Sequence, residues 1–198
     1  GLPIGDASGQ MICDIGGGMT EIAVLSMGRM VVREIVKIGG DAFDDAIIRY
    51  LRKKHNLLIG ERSAEEVKIT LGTAIAPMTE LTEEVTGRDL LSGLPKTIAV
   101  SSAEIYEAVK DAVADLIESI QGVLERTPPQ LASDIFDEGI TLSGGGAQLF
   151  GGQVAHVMAA HGHGAGLQPV QPEQQIHDGA LAHLDEGLPA KLLHQLQE

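Results

Sequence analysis

The stretch Asp14-Ile15-Gly16-Gly17-Gly18 constrains this chain more than any other: a carboxylate closes the apolar run Met11-Ile12-Cys13, three glycines follow, and a second apolar run, Ile22-Ala23-Val24-Leu25, begins. Two strands joined in this way read as a hairpin whose backbone a ligand can approach closely. Successive backbone N–H groups in such a turn form a concave anion site, and an Asp beside it can hold a metal-bound water next to a phosphate. The competing reading is a plain hairpin with glycine for turn geometry, and this stretch alone does not choose between them.

Downstream, residues 10–16, 20–27 and 29–38 read as three strands joined by glycine-containing turns, an antiparallel meander. Gly39-Gly40 ends it. Asp41 opens a helix with Phe43, Ile47, Ile48 and Leu51 on one face and the basic turn Arg52-Lys53-Lys54-His55 at its end, where positive charge suits the helix dipole. Ser63 and Glu66 have capping-box spacing and predict the start of a second helix. Residues 76–100 change character. Pro77, a Thr/Glu-rich stretch and the turn Gly93-Leu94-Pro95 flank short β-branched runs ending in Thr97-Ile98-Ala99-Val100, which reads as a small β-containing lobe inserted between helices. Ser101 and Glu104 cap the longest helix, whose stripe Ile105, Val109, Val113, Leu116, Ile117, Ile120 and Leu124 reads as core, and Thr127-Pro128-Pro129 stops it.

Gly139-Ile140-Thr141-Leu142-Ser143 reads as a buried strand, followed by Gly144-Gly145-Gly146-Ala147 and a helix carrying Leu149, Val154 and Val157. A strand, a glycine run and a helix start make a second candidate ligand edge. A last strand, Leu167 to Val170, and a helix from about Ile176 to Leu184 complete the order. A meander followed by alternating helix and strand indicates an α/β layer fold with a mixed sheet. If the two glycine triplets flank one cleft, they sit on neighbouring strand ends.

Composition narrows the function classes. A chain of 198 residues with 43% hydrophobic content can bury a core and carry an inserted lobe, and its net charge of -14 argues against a nucleic-acid groove or a bare anionic membrane. Cys13 is the single cysteine, so no intrachain disulfide or Cys-built metal site is expected, which suits a reducing cytoplasm. No apolar run has the length of a membrane span, and no signal peptide is expected. The start Gly1-Leu2-Pro3, without a methionine, suggests a fragment.

Several motifs in order resemble one family. Asp14 to Glu21 resembles the second phosphate loop of the actin-like ATPases. Gly60 to Lys68, Gly87 to Lys96, Thr127 to Ala132 and Leu142 to Ala147 are similar to the bacterial MreB/MamK group. The resemblance covers residues 1 to 150 and concerns the second half of such a protein; residues 151–198 fit more loosely. It implies a ribonuclease H-like actin/Hsp70-type ATPase half with a mixed sheet and a small inserted α+β lobe. Residues 1–56 and 101–186 would form subdomain IIA, 57–100 subdomain IIB, and 187–198 a C-terminal tail.

By the same resemblance the cofactors are ATP or ADP with Mg²⁺. Asp14 would act at the catalytic centre by holding the water shell of the Mg²⁺. Gly16, Gly17 and Gly18 would donate N–H to the β- and γ-phosphates; Glu65, Glu66 and Lys68 would border the ribose and base, and Gly145, Gly146 and Ala147 the adenosine. Met19 stands where the family usually has Thr, which removes one hydroxyl contact to phosphate. The family builds its ATP site between two halves, and the other phosphate loop and the water-positioning residue belong to the first. The resemblance thus implies partners in that first half and in a complete homologue forming a filament for cell shape or organelle positioning. Membrane contact would run only through segments outside this chain. The alternative is a free-standing, non-catalytic module that docks on or caps filaments.

Two further features read as ordinary surface. His161-Gly162-His163 lies in a glycine-rich loop without a spaced Cys or carboxylate partner, and Ser143 is not in a nucleophile-elbow pattern.

Overall fold

A computed structural model describes residues 5–150 of the chain. The expected helix beyond Leu149, the strand at 167–170, the helix at 176–184, the His161 loop and the tail at 187–198 lie outside the described residues.

The N-terminal meander forms β1 (Gln10–Ile15), β2 (Thr20–Ser26) and β3 (Arg29–Val36). Their register pairs Asp14 with Glu21 and Ile22 with Glu34, with a bulge between Val24 and Leu25. The helix α1 (Gly40–His55) begins one residue before Asp41 and ends at Asn56, which adopts the left-handed conformation with φ 52°. A two-residue strand, β4 (Leu57–Leu58), leads to α2 (Glu61–Leu71). The inserted lobe contains the hairpin β5 (Thr82–Asp89) and β6 (Pro95–Ser101), which with β4 makes an antiparallel sheet in the order β4-β5-β6.

The long helix α3 (Ser102–Arg126) follows directly, then α4 (Pro129–Glu138), β7 (Ile140–Ser143) and a 3-10 helix (Gly145–Phe150). β7 inserts beside β1 and runs parallel to it, so the main sheet has the order β3-β2-β1-β7 and is mixed. Its interior residues Met11, Cys13, Ile15, Ile22 and Val24 form one core with Phe43, Ile47 and Leu51 of α1 and with the α3 stripe. In that stripe Val123 is fully buried and Leu124 only partly, so the stripe turns by one residue at its end. Each fully buried Val, Leu or Ile contributes roughly 1.5–3 kcal/mol of transfer free energy, which is what holds a helix of this length on the sheet.

One expectation changes. Ser63 does not cap α2, because the helix already starts after Gly60, whose carbonyl accepts the Ala64 N–H at 3.0 Å. The Glu66 carboxylate instead takes the Arg62 Nε at 3.1 Å, an exposed pair one turn apart. Pro128-Pro129 does stop α3, and Pro129 then becomes the first residue of α4, where its missing N–H costs nothing. That helix is tied back to the sheet by Gly9 N–H donating to Asp134 Oδ2 at 2.8 Å and by Gln10 Nε2 donating to Glu138.

Candidate functional site

Because β1 and β7 are parallel neighbours, with Asp14 beside Ser143, both glycine triplets emerge from the same sheet edge. The fit between them is tight: Gly144 has φ +80°, and a Cβ there would lie 2.4 Å from the Ile15 carbonyl oxygen and 2.9 Å from Asp14 Oδ1. A Cβ on Gly146 would lie 2.3 Å from Ile15 Cγ2. Glycine at these two positions is therefore demanded by packing.

The other glycines of the triplets behave differently. Gly16, Gly17 and Gly18 are not in the left-handed region, so turn geometry does not require them. A Cβ would reach only van der Waals distance from the Asp41 carboxylate at Gly17 and Gly18, and at Gly145 it would meet nothing within 4 Å. Space is kept open at Gly17, Gly18 and Gly145 without a demand from the fold, whereas a Cβ on Gly16 would press to 3.1 Å from the Met19 carbonyl oxygen. This favours the ligand cradle over the plain hairpin.

A cleft of about 340 Å³ lies between the two runs. Gly16 and Gly17 line one side, Gly145, Gly146, Gln148 and Leu149 another, and Gly40 with Glu65, Lys68, Ile69 and Gly72 the rest. Glu65, Lys68 and Ile69 share one face of α2 at positions i, i+3 and i+4, and Gly72 is the residue that caps its end. Glu66 is off that face and paired with Arg62. Asp14, Gly18 and Ala147 adjoin the cleft in sequence without lining it. Of the residues the sequence singled out, six line it: Gly16, Gly17, Glu65, Lys68, Gly145 and Gly146.

Hydrogen bonding sorts the glycine turn further. The Gly16 N–H donates to the Met19 carbonyl at 2.9 Å, and the Gly16 and Gly17 carbonyls accept the first N–H groups of α1, from Gly40 at 3.0 Å and Asp41 at 2.9 Å. Gly39 packs so closely on the turn that a Cβ would lie 2.5 Å from the Gly17 carbonyl oxygen. The turn is thus fixed on α1 by its carbonyls, and Gly16 has no N–H to offer. The N–H groups of Gly17 and Gly18 make no hydrogen bond among the described residues.

Asp14 is exposed, and Ser143 Oγ donates to its Oδ1 at 2.8 Å. The hydroxyl fixes the carboxylate from the adjacent strand and leaves Oδ2 open. Among the described residues no group of three or more His, Cys, Asp or Glu could enclose a metal ion. An oriented carboxylate beside a glycine turn suits Mg²⁺, which keeps most of its waters and takes one or two carboxylates plus phosphate oxygens. On the other side of β1, burial first and then the Asp14 charge push the Cys13 thiol up to about 12. It is a core residue.

Comparison with known proteins decides the family. A sequence model described as MreB/Mbl protein matches residues 1–161. The chain belongs to the MreB/Mbl family. It is 50% identical over 151 residues to the cell shape-determining protein Mbl of Bacillus cereus, covering 76% of this chain and 45% of that protein. A crystal structure of MreB5 of Spiroplasma citri bound to ADP is similar with a TM-score of 0.73 and 41% identity, covering 76% of this chain and 46% of that one. A MamK double helical filament shares the fold at 24% identity and a TM-score of 0.62, with 91% of this chain and 55% of that chain covered. The chain thus spans less than half the length of the MreB/Mbl relatives it matches, and its fold is that of an actin/Hsp70-type ATPase half. Within the described residues of this MreB/Mbl member, no helix is long and apolar enough to cross a membrane.

Proposed function

We propose that the cleft binds ATP or ADP with Mg²⁺, and that this chain is the second, nucleotide-binding half of an actin-like cytoskeletal ATPase acting in cell shape or organelle positioning. One observation carries the reading: the ends of two adjacent parallel strands each open into glycines, and those glycines face a single cleft. The ADP bound to the related MreB5 supports the choice of ligand. Residues 57–100 act as the inserted subdomain and the rest of the described chain as the main one.

In this reading the Gly17 and Gly18 N–H groups meet phosphate oxygens, and the open space at Gly145 takes the nucleoside. Ile69 and Leu149 supply apolar surface for the base, and Glu65 reaches the sugar hydroxyls. Asp14, its carboxylate aimed by Ser143, would hold the water shell of Mg²⁺, and the ion would offset phosphate charge. Among the described residues the one cationic side chain lining the cleft, Lys68, is paired with Asp44, so binding depends on that ion. The complete protein would form filaments, as the related MamK does.

Titration of the 198-residue chain with ADP tests this. Binding is expected in Mg²⁺ and to weaken at least roughly tenfold when the ion is chelated. Gly145→Val should weaken it similarly at unchanged thermal stability, because the added side chain enters open space. Equal affinity of Gly145→Val and the parent chain would overturn the site.

A further inference from the structure

Asp41 carries a carboxylate that the fold leaves unused. It is exposed in the first turn of α1, with neither a hydrogen bond nor an ion-pair partner for its side chain among the described residues. An acid in a first turn ordinarily meets unsatisfied N–H groups there. Here those groups are already taken. The Gly40 N–H donates to the Gly16 carbonyl at 3.0 Å, Asp41 to Gly17 at 2.9 Å, and Ala42 and Phe43 to the Gly39 carbonyl at 3.1 and 3.3 Å.

The carboxylate lies against the glycine turn instead. Cβ atoms placed on Gly17 and Gly18 would lie 3.7 Å from Asp41 Oδ1 and 3.5 Å from Asp41 Oδ2. These are the two residues whose N–H groups make no hydrogen bond among the described residues. Lys68 also stands beside the turn, since a Cβ on Gly40 would lie 3.2 Å from its Nζ and 3.6 Å from the Gly17 Cα. Its charge is matched by another acid: Asp44 Oδ2 accepts from Nζ at 2.8 Å, and the Gly40 carbonyl accepts at 3.2 Å. Both side chains of that pair are mostly buried. Asp41 is left as an unmatched negative charge beside the donors that an anion would meet.

We propose that Asp41 is a specificity-determining residue of the cleft, a charge filter that rejects phosphate arriving without a metal ion and admits it when Mg²⁺ comes with it. The inference rests on the nucleotide reading and names the residue behind the metal dependence stated there. Bare diphosphate and Asp41 carry charge of one sign, and no side chain on Gly17 or Gly18 separates them. With Mg²⁺ present, the attraction of Asp41 for the ion opposes its repulsion of the phosphates, and the two nearly cancel. Asp41 acts through its field and needs to touch neither group, which separates its role from that of Asp14.

The test titrates the 198-residue chain with ADP by calorimetry, once in Mg²⁺ and once in EDTA, and reads the ratio of the two affinities. Asp41→Asn should raise the affinity in EDTA roughly fivefold and leave that in Mg²⁺ within about twofold, so the ratio shrinks. Asp41→Glu keeps the charge and should keep the parent ratio. Asp45→Asn removes the same charge from the next exposed turn of α1 and should also keep it. A purely structural Asp41 would lower the melting temperature of Asp41→Asn and leave the ratio unchanged, which overturns the proposal. Equal shrinkage in Asp45→Asn also overturns it, because net charge alone would then set the ratio. If Asp41→Asn does not fold, Asp41→Ser is judged by the same ratio. A parent chain that binds ADP in Mg²⁺ with a ratio indifferent to Asp41 defeats this proposal alone, whereas a parent chain that does not bind ADP in Mg²⁺ defeats the nucleotide reading and this proposal with it.

Discussion

Cys13 and Asp14 are adjacent on β1 and face opposite environments, because successive strand side chains point to opposite sides. The acid is exposed, and the thiol is fully buried with its ionisation pushed up to about 12. Reactivity follows the thiolate, so Cys13 should resist a disulfide reagent at pH 8 under native conditions and react completely in denaturant. Fast labelling of the native chain would show that the β1 core opens readily. At this scale the sequence exposes composition and near neighbours, and little else. Glu65, Lys68 and Ile69 share a helix face by their spacing, so Ile69, which sequence reasoning missed, was within reach of a periodicity argument, and Gly72, which caps the helix, was not. The Lys68–Asp44 pair spans 24 positions and depends on how α1 and α2 cross, and no local pattern announces it. The commitment of the Gly16 N–H to Met19 is likewise a property of the folded turn.

Among the elements, α3 carries the clearest lesson. Its capping box forms as its sequence signature predicts, with Glu104 N–H donating to Ser101 Oγ at 3.4 Å and Ser101 N–H to Glu104 Oε2 at 3.1 Å. The same signature at Ser63 and Glu66 goes unused, because Gly60 had already begun α2 one turn earlier. Signature spacing names a possible start, and competition with the preceding turn decides it. The strands of the meander were legible because apolar runs and glycine turns coincide there, whereas α4 was hidden by prolines that end one helix and begin the next. Glu104 has a second task, receiving Lys54 Nζ at 2.9 Å and His55 Nε2 at 2.8 Å from the end of α1. Burial pushes its carboxyl up, but hydrogen bonds from Lys54, His55 and the Ser101 N–H together hold it below its ordinary value of 4.5. A lowered carboxyl stabilises the fold above its unfolded value, and that contribution is lost as pH falls through the lower folded value. Glu104→Gln should therefore cost about 1–2 kcal/mol at pH 7 and flatten the loss of stability between pH 5 and 3, measured by urea titration. Parallel pH profiles for the two chains would rule out this junction as the acid-sensitive contact.

For the molecule as a whole, the decisive property is that Asp14, the carboxylate that Ser143 aims, stands beside the cleft without lining it. In-line attack on a γ-phosphate needs a positioned water as well as an oriented ion. The 198-residue chain should therefore bind nucleotide without turning it over, and phosphate release abolished by Asp14→Asn would contradict that. It should also sediment as monomers or closed dimers with or without ATP and Mg²⁺, since open-ended growth needs two complementary surfaces on each unit. ATP-dependent pelleting with visible filaments would overturn this. The outer strand β3 exposes Met30, Val31 and Ile35 but interleaves them with Arg29, Arg33 and Glu34, which discourages edge-to-edge pairing.

The parallel seam between β1 and β7 also orders events in time. Met11 finds Ile140, and Asp14 finds Ser143, across almost the whole described chain, while the meander and the β5-β6 hairpin close over short distances. Contacts of such long range are slow to form, so during synthesis the meander can be in place well before β7 leaves the ribosome. Among the described residues Gly145 and its neighbours arrive last, and the cleft they line does not exist until they do. A nucleotide would therefore act on the finished fold as a late staple: it cannot guide the early strands together, and it would slow their coming apart.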